Sequence, residues 1–163
     1  MDEYKKVLVN EEKTTQLSGE TILKVENLTI SFRTPGGLVR AVRGVDFELK
    51  KGETLCIVGE SGSGKSVTSR AIMGILAGNA IIDDGHIYYK DLDLTRCEEK
   101  DFYQIRGSQI GMIFQDPLSS LNPIMKIGKQ LTETLILKNN MNKHDAKKKA
   151  LELMQDVGIP QAE

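Results

Sequence analysis

Thr54-Leu55-Cys56-Ile57-Val58-Gly59-Glu60-Ser61-Gly62-Ser63-Gly64-Lys65-Ser66 is the stretch that decides the fold. Thr54 to Val58 read as a short apolar run, the pattern of a strand buried on both faces. Gly59 to Ser66 fit G-x-x-x-x-G-K-[ST] at every fixed position. Between a strand and a helix, such a chain wraps round a polyphosphate with its backbone N–H groups pointing inward. Residues without a Cβ permit the positive-φ turns and the close approach this requires. Gly59, Gly62 and Gly64 supply that freedom, and Glu60, Ser61 and Ser63 complete the loop. The helix that follows directs its N-terminal dipole and free N–H groups at the anion. Lys65 reaches the β- and γ-phosphates, and the Ser66 hydroxyl ligates Mg²⁺. A Gly/Ser loop matches this pattern by accident about once in 200 chains of this length. A strand before it and an amphipathic helix after it lower that rate. The helix is expected to run to Ala77, with Val67, Ala71 and Ile75 on one face, Ile72 and Leu76 beside them, and Gly78-Asn79 at its end.

Upstream, residues 1–20 are polar and aperiodic and read as a flexible leader. Ile22 to Phe32 is expected to form a half-buried strand with a phase slip at Glu26-Asn27. A turn follows at Thr34-Pro35-Gly36-Gly37, then a second strand from Leu38 to Leu49 and a turn at Lys50-Lys51-Gly52-Glu53. Together they make an antiparallel β-subdomain over 21–53. Downstream, strands are expected at His86–Tyr89 and Gln109–Phe114, and a charged helix at Glu98–Arg106. Further helices are expected at Gly128–Lys138 and Lys143–Val157. Strand, loop, helix, strand, helix makes the chain α/β with some parallel sheet.

The 163 residues carry 22 basic and 23 acidic side chains, a net charge of −1, which excludes nucleic-acid binding through bulk positive charge. The longest apolar candidate, Ala71 to Ile82, falls short of the roughly 20 residues a membrane span needs. The N-terminus lacks the apolar core of a signal peptide. Cys56 and Cys97 form neither a disulfide framework nor a zinc spacing and read as reduced thiols. These features describe a soluble, cytosolic chain.

Val58 to Ser66 resembles the Walker A segment of ATP-binding-cassette (ABC) transporters, and Ile110-Gly111-Met112-Ile113-Phe114-Gln115-Asp116-Pro117 resembles the same family's Q-loop. The continuation Leu118-Ser119-Ser120-Leu121-Asn122-Pro123 is similar to the oligopeptide/dipeptide and nickel importer branch. Glu53-Thr54-Leu55 and the Gly85-His86-Ile87-Tyr88-Tyr89 strand also fit. The resemblance implies a P-loop NTPase core over 54–115 and the start of a helical subdomain over 116–163. It implies that Gln115 lies near Mg²⁺ and the γ-phosphate and links the nucleotide to the helical subdomain; otherwise it is a polar residue ending a strand. Phe32 takes the place of the aromatic that stacks on adenine, or is a core residue ending a strand. Lys65 and Gln115 are the implied catalytic residues, Ser66 and Gln115 the implied metal contacts, and ATP and Mg²⁺ the implied cofactors.

The family's signature loop, its Walker B strand ending in Asp-Glu and its switch His do not occur within these 163 residues. Leu17-Ser18-Gly19-Glu20 faintly resembles a signature but reads as linker, and His86 and His144 stand outside the switch position. The expectation is therefore an incomplete nucleotide-binding domain over 21–163, the N-terminal half of a subunit that binds ATP without efficient hydrolysis. The intact subunit implied by the resemblance pairs with a second nucleotide-binding subunit and with transmembrane permease subunits at the inner face of the cell membrane, and powers import of peptides. The alternative is a catalytically inactive nucleotide-binding fragment with no transport role. A P-loop kinase needs acceptor and lid residues that are not identifiable. A GTPase is suggested by Asn142-Lys143-His144-Asp145, but Asn142 as helix N-cap explains that stretch more simply. Lys147-Lys148-Lys149 reads as a solvated helix face rather than a phosphate patch.

Overall fold

Two long strands, β1 (Thr21–Thr34) and β2 (Gly37–Lys50), pair antiparallel through the expected Pro35-Gly36 turn. They belong to a computed structural model that describes residues 19–116 and 121–159. The leader expectation over residues 1–18, the Pro117–Ser120 part of the Q-loop resemblance and the last residues, 160–163, lie outside that description. A third strand, β3 (Ala80–Tyr89), pairs with the other edge of β1, and the short β4 (Leu92–Asp93) pairs with β3. The sheet order is β2-β1-β3-β4, and every ladder in it is antiparallel. Val25, Leu28, Ile30, Val42 and Ile87 point into one core and are at most 3% exposed. Each such burial contributes roughly 1.5–3 kcal/mol.

The phase slip falls where the sequence puts it. Register shifts between Val25 and Leu28, across Glu26-Asn27, and Asn27 takes φ +44°, a region Asn tolerates better than most residues. The Asn27 N–H donates to Asp46 Oδ1 and its side-chain Nδ2 donates to Asp84 Oδ2, both at 2.8 Å. Gly85 lies alongside at φ +88°, where a Cβ would press on the Glu26 and Asn27 carbonyl oxygens.

Helices follow. α1 (Lys65–Ile72) packs beside β2, with Thr68 and Ala71 buried. A 3-10 turn at Leu94–Arg96 leads into α2 (Glu99–Ile105). α3 (Ile127–Asn139) and α4 (Lys143–Asp156) make a hairpin that buries Ala146 and Ala150 and encloses an open cleft of about 830 Å³. Asn142 caps α4 as expected: its Oδ1 accepts from the Asp145 N–H at 3.0 Å. The described residues form two compact units that meet in the chain between Tyr103 and Gln104, inside α2. No helix among them is long and apolar enough to cross a membrane.

The structure corrects several expectations. Thr54–Val58 forms no strand, and Gln109–Phe114 contributes only an isolated parallel bridge from Ile110 to Arg106. The chain is α/β, yet the expected parallel sheet is absent among the described residues. Both segments have strand composition, but a ladder needs a second strand beside it and none is paired with them. Ile113 is accordingly 97% exposed. α1 stops at Ile72, five residues short of Ala77. Gly74 at φ +63° turns the chain away, its N–H donating to the Ala71 carbonyl and the Ile75 N–H to that of Arg70. A Cβ at Gly74 would run into the Phe102 ring, so packing against α2 fixes the helix end. β3 begins at Ala80 rather than His86, because Phe32, Ser31 and Ile30 of β1 continue the ladder to Ala80, Ile81 and Ile82.

One polar cluster pins the β3–β4 corner. Asp93 Oδ2 lies 3.0 Å from His86 Nδ1 and 3.3 Å from Arg96 Nε. Its Oδ1 accepts from the Thr95 N–H and hydroxyl at 3.0 and 2.6 Å. Burial pushes the Asp93 carboxyl up, but the hydrogen bonds from Thr95 and His86 outweigh it and hold the pKa below the ordinary value. Cys97 Sγ donates to the Asp93 carbonyl at 3.3 Å, and burial, with Asp101 and Asp93 nearby, pushes that thiol up and keeps it protonated.

Candidate functional site

Gly59 to Ser66 curls into a loop that ends at the first turn of α1. Gly62 and Gly64 take φ +81° and +93°, the left-handed region the motif reserves for glycine. Gly64 has a second constraint: a Cβ there would stand 2.7 Å from the Ala41 carbonyl oxygen and 3.2 Å from a Val42 methyl of β2. The sheet thus backs the loop where the helix begins. At Gly59 a Cβ would lie 2.7 Å from Ser63 Oγ. The cradle is one that side chains would fill.

Lys65 is half-buried and turned back into the loop. Its Nζ donates to the Gly59 carbonyl at 2.8 Å, the Glu60 carbonyl at 2.7 Å and Ser63 Oγ at 3.2 Å. The Ser63 N–H donates to the Glu60 carbonyl, which tightens the turn. No side chain caps α1 and no acidic residue stands in its first turn, so the helix N-terminus presents its dipole and N–H groups to the loop uncompensated. Ser66 is exposed, and its hydroxyl has no hydrogen-bond partner among the described residues. Ser61 is exposed as well.

Reading the sequence missed Thr68. Buried beneath the loop, it donates both its N–H, at 2.9 Å, and its Oγ1, at 3.1 Å, to the Gly64 carbonyl. Its signal was a polar residue three positions before Ala71, on the face that α1 turns inward. Phe32 is half-buried on β1, in register with Val39 of β2 and Ala80 of β3. Gln115 belongs to the second unit, where it is exposed at a bend that follows the unladdered 111–114 segment. The structure therefore brings Gly59, Glu60, Ser63, Gly64, Lys65 and Ser66 into one loop of the first unit.

This arrangement suits a polyphosphate with a bound divalent cation. It offers a cationic ammonium, a ring of backbone held open by glycines, an uncapped helix terminus and a free hydroxyl at the helix start. Comparison with known proteins agrees with that chemistry. The family model for ABC transporters matches residues 42–163. The dipeptide transport ATP-binding protein DppD of Lactococcus lactis is 53% identical over 148 residues, which are 90% of this chain and 42% of DppD. The oligopeptide transport ATP-binding protein OppD of Bacillus subtilis is 54% identical over 143 residues, 87% of this chain and 40% of OppD. Among solved structures, the ATP-binding cassette MJ0796 in a dimeric post-hydrolysis state, bound to ADP and Pi, superposes with a TM-score of 0.70 at 26% identity. That match covers 82% of this chain and 56% of the cassette. The chain spans less than half the length of the two transport relatives, yet its glycine loop, its lysine and its sheet lie inside the matched region. With most of its length inside the family model, the chain belongs to the ABC transporter family.

Proposed function

We propose that this chain is the nucleotide-binding part of an ABC importer for oligopeptides or dipeptides, and that it takes Mg-ATP in the Gly59–Ser66 loop. The observation that carries the reading is Lys65 folded into a glycine ring at an uncapped helix start. The peptide assignment draws support from the names and identity of the two bacterial transport relatives. Lys65 would hold the β- and γ-phosphates, the backbone of Glu60 to Gly64 would wrap them, and the Ser66 hydroxyl would face Mg²⁺. Mg²⁺, when bound, neutralises charge on the β- and γ-oxygens. Phe32 is the proposed adenine-facing aromatic, and Gln115 the proposed contact between nucleotide and helical region. In the assembled transporter a second nucleotide-binding subunit and membrane permeases complete the machine at the cytoplasmic face.

The test is a titration with labelled Mg-ATP. Lys65→Ala is expected to weaken binding about ten- to a hundredfold, since charge-assisted contacts contribute roughly 1.5–3 kcal/mol. Lys148→Ala, on the exposed face of α4, is expected to leave it unchanged. Equal losses in the two variants would refute the assignment. A polypeptide of these 163 residues carries no Walker B carboxylate and no signature loop. Its phosphate release is expected near background, because losing one such element costs on the order of 10³–10⁵ in rate. Robust release that vanishes in Lys65→Ala would show a complete site.

A further inference from the structure

The β1–β2 hairpin outruns its neighbour. Arg33 and Thr34 still pair with Leu38 and Gly37 of β2, whereas β3 begins only at Ala80, opposite Phe32. The chain enters β3 through a turn centred on Gly78-Asn79, closed by the Ala80 N–H donating to the Ala77 carbonyl at 2.8 Å. From that turn Asn79 bonds to β1 twice. Its carbonyl accepts from the Arg33 N–H at 2.9 Å, and its side-chain Nδ2 donates to the Arg33 carbonyl at 2.9 Å. A regular antiparallel pair closes both such bonds with backbone atoms. Here the Asn79 side chain supplies the second donor, and the clasp carries the β1–β3 edge one residue further, to the neighbour of Phe32.

Given Phe32 as the adenine-facing aromatic of the function proposed above, we propose that Asn79 is its positioning residue: by clasping Arg33 it holds the hairpin end, and with it the Phe32 ring, in one place beside the phosphate loop. β2 links the two places. Its Ala41 carbonyl backs Gly64, and Val39, the register partner of Phe32, lies two residues earlier. That is about 7 Å along a strand. Past Ala80 the hairpin is a two-stranded ribbon, a form that twists more and holds less firmly than the interior of a sheet. The Arg33–Asn79 clasp ties this ribbon to the third strand. Phe32 is half-buried, so part of it remains open to a planar base. A ring already held in place spends less of its stacking on being ordered. Asn79 itself is exposed, so removing its amide opens no cavity in the core.

The experiment displaces ribose-labelled Mg-ATP from the full chain with unlabelled Mg-ATP and, separately, with Mg-tripolyphosphate, which offers phosphates without a base. Phe32→Ala is expected to weaken Mg-ATP about tenfold, the scale of one base–aromatic stack, and to leave Mg-tripolyphosphate unchanged. Asn79→Ala should weaken Mg-ATP about three- to fivefold, again with Mg-tripolyphosphate unchanged. In the Phe32→Ala background it should add nothing, since it acts only through the ring. An equal loss for both ligands, or an additive loss in the double variant, would make Asn79 a purely structural residue and overturn the proposal. Should Phe32→Ala spare the preference for Mg-ATP, the adenine role of Phe32 fails and the role of Asn79 with it. Should Phe32→Ala remove that preference while Asn79→Ala leaves it whole, the role of Asn79 alone fails. Asn79→Ser, which lacks the amide, carries the same test if Asn79→Ala does not fold.

Discussion

β1 and Thr54–Val58 both hold β-branched and apolar residues, yet one lies inside a sheet and the other joins no ladder among the described residues. β1 is flanked on both sides, by β2 and β3, and Leu28 and Ile30 in it are fully buried. Thr54–Val58 alternates exposed and half-buried residues, has no strand beside it among the described residues, and leaves Val58 56% exposed. Composition and period set what a segment is able to become; a ladder exists only when a second strand supplies the other half of each hydrogen bond.

Hydrogen exchange in dilute solution offers the sharpest contrast. Amides of β1 facing β2 and β3 should open only with the whole unit, and those of Thr54–Val58 and Gly111–Phe114 should exchange nearly freely, a gap of about a thousandfold or more. Comparable protection in the two regions would break the comparison. Next in size, Leu28→Ala should cost about 2–5 kcal/mol in a urea melt, since it opens a cavity in the sheet core.

A smaller effect belongs to the β3–β4 corner. Asp93→Asn should cost about 1 kcal/mol near neutral pH through the weakened bonds to Thr95, His86 and Arg96. Because the folded-state pKa of Asp93 is depressed, its stabilisation is present above the ordinary carboxylate pKa of about 4 and fades as pH falls through the folded value. Melts of wild type and Asp93→Asn should therefore converge in acid; a gap that widens there would contradict the assignment. The least effect is expected at Ile113, 97% exposed: Ile113→Ser should change stability by less than about 0.5 kcal/mol.

The antiparallel half of the fold was legible because its information is local. Alternation in β1 and β2, the Pro35-Gly36 turn and the slip at Glu26-Asn27 each rest on near neighbours. The end of α1 was not legible, since Ile75 and Leu76 continue the apolar period and only the Phe102 ring, far along the chain, explains the turn at Gly74. The missing ladders at 54–58 and 109–114 escaped for the same reason: a partner strand is not a property of the segment. At the site, the glycine spacing was legible as backbone chemistry. The seat of Gly64 against the Ala41 carbonyl and the buried Thr68 beneath it were not, because both depend on what the sheet brings close.

Lys65 has one further consequence. An ammonium has three protons, and here each already has an acceptor: two carbonyls and, at the longest distance, the Ser63 hydroxyl. An anion entering the loop therefore meets no idle donor on this side chain; it must displace an acceptor, and the 3.2 Å contact to Ser63 is the one most readily given up. Capture of the anion is in this respect a substitution reaction at nitrogen's proton shell, in which the number of hydrogen bonds is conserved and their strength rises. The tetrahedral geometry matters as much as the charge. A guanidinium, planar and forked, cannot address two converging carbonyls and a third ligand out of their plane, so Lys65→Arg would keep the charge and lose the clasp.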